Sequence, residues 1–124
     1  MKFLMMIHCD DSLLEALPEG EFDRLMRGCL LHADALHAEG KLLDSLQLEP
    51  ASTARTTRVR GGQRSVFDGP FAETKEYLGG FNLIEAADMD EAMRIAESFP
   101  WASLGSIELR PLRDIDAVRR RVGA

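Results

Sequence analysis

Only two cysteines, Cys9 and Cys29, occur in the 124 residues; they are too few and too unpatterned for a disulfide framework or a metal site, and both read as core thiols. No segment approaches the roughly twenty consecutive apolar residues that span a membrane. Residues 1–7 are apolar, but only Lys2 is basic there, and His8-Cys9-Asp10-Asp11 interrupts the run before it reaches the length of an export signal. The expectation is a soluble cytoplasmic protein. Basic residues are in deficit, 15 Lys and Arg against 21 Asp and Glu for a net charge of −6. That balance argues against nucleic acid as the main partner, because phosphate binding is driven by clustered cations. A Ser-His-Asp spacing, a phosphate loop, a nucleotide fingerprint and a metal-ligand set are also missing, so no cofactor is expected.

What is present suits one compact domain. With 45% of the residues hydrophobic, the chain is long enough for a single core, here assigned to residues 1–112 with 113–124 as a C-terminal extension. Basic residues do gather locally, as Arg55, Arg58, Arg60 and Arg64 and again as Arg119-Arg120-Arg121. Either group can meet a small anion or stay solvated.

Residues 2–8 form a short apolar run stopped by Asp10-Asp11-Ser12, the pattern of a central strand buried on both faces. Phe22, Leu25, Met26, Cys29, Leu30, Ala33 and Leu36 recur at helical spacing, with Gly40 where a C-terminal cap belongs. Residues 42–48 read as a second strand. Residues 56–59 and 65–67 flank Gly61-Gly62, which signals a hairpin. A third core strand is expected over 80–86. Asp88 and Glu91, spaced as a capping box, then open a helix that Pro100 ends. Residues 106–110 supply the last core strand, and 114–122 suit a short terminal helix. The order βαβ, hairpin, βαβ is the ferredoxin-like split βαβ pattern of an α+β protein, an antiparallel sheet with both helices on one face.

Such a sheet leaves its second face uncovered. Leu4, Met6, Leu83 and Leu109 or Ile107 are the apolar groups expected there, and a patch of that kind favours association. A homodimer is therefore expected, with a cleft in or beside the interface.

Residues 68–81, Asp-Gly-Pro-Phe-Ala-Glu-Thr-Lys-Glu-Tyr-Leu-Gly-Gly-Phe, concentrate turn chemistry and functional groups. Asp68-Gly69-Pro70 ends a strand, and Gly79-Gly80 bares the backbone for close approach of a chain segment or a ligand. This run resembles the signature of the DGPF family, a branch of the YCII-related proteins. The similarity continues through residues 48–54 and 105–111 and covers most of the chain. The resemblance implies a ferredoxin-like dimeric α/β barrel of largely unassigned activity. In the broader group it implies a His–Asp acid/base pair, with the histidine on the first helix and the aspartate just before the last strand. Here those positions fall at about Cys29 and at Phe99, so the pair does not carry over, and His32 lies nearly a turn from the helix position.

Acid/base work near neutral pH points first to His8, His32 and His37. His8, at the end of the first strand with carboxylates nearby, is the best placed of them; the competing reading is a surface or interface residue. Asp68 is the second catalytic candidate, a base if desolvated or merely a turn residue. Thr74, Lys75 and Asn82 in or beside the signature, with Arg58 and Arg110, are the candidate substrate-binding groups, the cations suiting an anionic ligand and the whole set a carbonyl compound. Two functions stay open. One is a small-molecule enzyme or binding protein with a dimer cleft closed by the 68–80 loop. The other, implied by the family's frequent neighbourhood to sigma-factor genes, is a regulatory interaction module linked to transcription.

Overall fold

The computed structural model describes residues 1–70 and 75–124. Strand β1 (Lys2–Asp10) is followed by helices α1 (Asp11–Glu15) and α2 (Glu21–Ala38), then by β2 (Leu42–Gln47). A short 3₁₀ turn leads into the hairpin β3 (Arg55–Arg60) and β4 (Gln63–Asp68). Strand β5 (Glu76–Glu85), α3 (Met89–Glu97), β6 (Gly105–Pro111) and α4 (Ile115–Val122) complete the chain. The main sheet has the order β2-β5-β1-β6, and every neighbouring pair is antiparallel. With β5 inserted between β1 and β2, the arrangement is the expected α+β split βαβ pattern.

Local chemistry explains the elements. Gly61 and Gly62 have φ of 56° and 76°, the left-handed pair that a two-residue hairpin turn demands, so Arg60 and Gln63 face one another across it. Asp88 caps α3 by accepting from the Glu91 amide at 2.9 Å, and Asp114 caps α4 by accepting from the Asp116 and Ala117 amides. Helix α1 was not anticipated. Strand β1 runs two residues past His8, and Asp10 then caps the new helix, accepting from both the amide and the hydroxyl of Ser12 at 3.0 and 2.6 Å.

The core lies between the sheet and helices α2 and α3. Phe3, Met5 and Ile84 are fully buried there with Cys29, Ala33 and Ile95 around them. Each large side chain removed from water in this way contributes on the order of 1.5–3 kcal/mol. Leu4 and Met6, which alternate with them, point to the opposite face and remain half-buried. The expectation for Ile107 and Leu109 is corrected by register. Leu109 pairs with Met5 and Ile107 with Ile7, so both belong to the helix-covered face and pack on the core. The open face instead carries Leu4, Met6, Phe81 and Leu83 in its centre, with Leu46 from β2 and Leu78 beyond the bulge.

Gly79 sits where the β1–β5 register shifts, between the pairs Ile7–Gly80 and His8–Leu78. One extra residue in β5 reverses the inward and outward alternation beyond that point. Strict alternation from Asn82 places Leu78 inside and Tyr77 outside. The bulge exchanges them. A Cβ on Gly80 would come within 2.9 Å of the Leu46 carbonyl, and one on Gly79 would clash with the Cys9 sulfur. The glycine pair thus serves close approach of chain segments.

Candidate functional site

The candidate site is a cleft of about 230 Å³ between α2 and the β1–β5–β2 part of the sheet. Phe22, Met26 and Leu30 come from one side of α2, Ile7 and Gly80 from the sheet, and Trp101 from the turn after α3. Phe22 and Leu30 were expected on the core stripe of this helix, yet they are 41% and 50% exposed. They border the cleft, which accounts for a core stripe that is incompletely filled.

Into this largely apolar space projects Asn82. Cross-strand pairing with Met5 and Ser45 sets it on the helix side, and the residue is 4% exposed. Among the described residues its side chain makes no hydrogen bond. Its polar atoms open to the cleft, so a water or a ligand there is what pairs with them.

Two titratable groups of the cleft are held protonated at neutral pH. Burial pushes the Cys29 thiol up, against the opposing effect of the Trp101 Nε1–H, which donates to its sulfur at 3.2 Å. Tyr77 donates to Asp11 Oδ1 at 2.6 Å, and that bond, with burial and the Asp11 charge, pushes the phenol up to about 12. A buried, protonated thiol is a poor nucleophile. The arrangement is equipped to bind and polarise a carbonyl through Asn82 rather than to attack it.

The structure distributes the sequence candidates over three places. Of the candidates among the described residues, Asn82 alone lines the cleft. His8 lies on the open sheet face, its side chain 26% exposed, and donates through Nε2 to Glu108 Oε1 at 3.1 Å. The carboxylate that sets its tautomer comes from β6, and Asp10 and Asp11 are engaged elsewhere. Arg110 stands on the same face opposite Leu4. At that end of the sheet Ser106 also bonds Glu76, and Lys75 Nζ lies 3.6 Å from Asp10 Oδ2. The Ser12 hydroxyl, with that ammonium assisting, holds Asp10 below the usual carboxylate range.

Arg58 and Asp68 belong to the hairpin. Asp68 is 88% exposed on its side chain and pairs with Arg55 at 3.4 Å. No hydrogen bond or ion pair joins it to His8 among the described residues. Thr74, with Glu73, lies outside the described residues. Tyr77, Asp11 and Trp101 were missed as site residues. The signal available for Tyr77 was its place beside the glycine pair, since a bulge there redirects the side chains that precede it.

The profile of the YCII-related domain matches residues 1–116. An uncharacterised protein of Rhizobium meliloti (strain 1021) is 40% identical over 114 residues, which span 90% of this chain and 92% of that protein.

Proposed function

Because the chain belongs to the YCII-related domain family, we propose that it binds a small carbonyl- or amide-bearing molecule in the α2 cleft. One observation carries the reading: the Asn82 carboxamide, 4% exposed and without a side-chain partner among the described residues, opens into an otherwise apolar cleft. A ligand oxygen accepts from its Nδ2, a ligand donor satisfies its Oδ1, and the surrounding carbon walls strengthen both bonds by excluding water. The end of the 68–80 connection borders the cleft through Tyr77, Gly79 and Gly80, which supports a role for this segment as its rim.

The proposal includes a homodimer in which two open sheet faces cover one another. Leu4, Met6, Phe81 and Leu83 make the centre of that face apolar, while Glu108, Arg110 and Asp44 lie on the flanking strands. Apolar centre and polar rim suit a two-fold contact.

A thermal-shift screen of neutral carbonyl and amide compounds tests the cleft, with each protein referred to its own ligand-free midpoint. Hits are expected to raise the midpoint of the wild type and not that of Asn82→Leu, because a ligand stabilises only the state it binds. Hits that shift both proteins equally would remove Asn82 from the site and the proposal with it.

A further inference from the structure

We infer that the ligand is uncharged and elongated, with its carbonyl or amide end on Asn82 and its apolar body passing Tyr77 into a second chamber beside the 48–54 segment. This rests on the reading of the α2 cleft as a ligand site and extends it to the shape and charge of the ligand. The second chamber, about 430 Å³, is formed by Ala51, Thr53, Ala54, Pro70 and Leu78. Leu48, Glu49, Pro50 and Tyr77 belong to the walls of both spaces. One backbone strap and one phenol ring are therefore what separate them.

Among the described residues, the hydroxyls of the second chamber's walls are already engaged. The Thr53 hydroxyl donates to the Pro50 carbonyl at 2.7 Å, and the Tyr77 hydroxyl donates to Asp11. Apart from the Glu49 carboxylate at the neck, what the described walls of the second chamber offer a ligand is carbon surface.

Charge narrows the class further. Among the described residues, no Lys or Arg lines either space, and Glu49, at the neck between them, is the one carboxylate that does. Arg58, Lys75 and Arg110 all lie outside both walls. An anionic head group would lose hydration here and meet Glu49 without a compensating cation. A neutral amide or ketone loses far less hydration, regains hydrogen bonds at Asn82, and is not repelled by Glu49.

Calorimetric titration of the wild-type protein with primary alkyl amides from butanamide to decanamide tests the inference. Kd is expected to fall by up to about fourfold for each methylene that enters the second chamber. Alkanoates of the same lengths are expected to bind at least about tenfold more weakly. Ala54→Phe, which fills only the second chamber, should abolish the gain with length and leave butanamide binding unchanged; Ala51→Phe serves the same purpose should the first variant fold poorly. A Kd independent of chain length in the wild type overturns the inference, as does a length dependence that survives in a folded filled variant, or alkanoates that bind as tightly as amides. Failure of the underlying site looks different: no amide of any length binds, or butanamide binds Asn82→Leu as well as wild type.

Discussion

Replacing Asn82 by Leu should make the ligand-free protein more stable. Leu has the same heavy-atom branching as Asn and is bulkier, with the cleft beside it to take the extra volume, and the position, paired with Met5, is 4% exposed. Burying an amide without a partner costs about 1–3 kcal/mol in protein mutational series. Asn82 makes no side-chain hydrogen bond among the described residues, and its contact with the cleft lets water recover part of that cost. A net stabilisation of about 1 kcal/mol is therefore expected, near the low end of that range. Unfolding entropy of about 2.1 cal/mol/K per residue gives a slope near 0.26 kcal/mol/K for a chain of this length, so the midpoint should rise by about 4 °C. Differential scanning calorimetry on both proteins without ligand, backed by urea midpoints at unchanged slope, reads this directly. The same variant should lose ligand binding, the pattern of a group kept for function at the expense of stability. A midpoint lowered by several degrees would refute the reasoning, because it would show that the amide stabilises the ligand-free fold.

Three further outcomes follow from the geometry. The chain has a single tyrosine, so phenolate absorbance reports Tyr77 alone; its midpoint should lie near 12 instead of the ordinary 10.0, and Asp11→Asn should bring it down. Since the folded-state value is the raised one, the stability linked to Tyr77 is fully present below about pH 10 and is lost between about pH 10 and 12, which urea midpoints across that range check. Gly105→Ala places a Cβ against the His8 carbonyl, where backbone on both strands must move, and should cost at least about 3 kcal/mol, or about 11 °C by calorimetry; a shift under 2 °C would show that the β1–β6 edge adjusts freely. Met6→Glu puts a charge in the centre of the open sheet face and should turn the proposed dimer into monomers by light scattering coupled to size exclusion, whereas a mass unchanged from wild type would refute the proposed contact.

The candidate site was legible in part. Asn82 was singled out for its place beside the glycine pair, and it lies in the cleft. Asp68 and Arg58 drew notice through charge density, which does not reveal that a strand pair carries them out on the hairpin. Cys29, read as a core thiol and placed where the resemblance puts a histidine, is buried in the core and also lines the cleft under the Trp101 indole. Helix α1 escaped notice because its five residues are too few for a periodic signal.

By itself the sequence determined the order of the elements apart from α1, the hairpin turn at Gly61-Gly62, the cap at Asp88, and an antiparallel sheet with helices on one face. These are local properties. Dihedral preference, capping and apolar period are all expressed within a few residues. Tertiary structure decided which side chains meet. Glu108 reaches His8 from 100 residues away, Ile107 and Leu109 take the covered face through their register with β1, and the bulge at Gly79 carries Tyr77 to the cleft. Cross-strand register and a one-residue bulge reverse facing without altering strand propensity, so no local pattern encodes them.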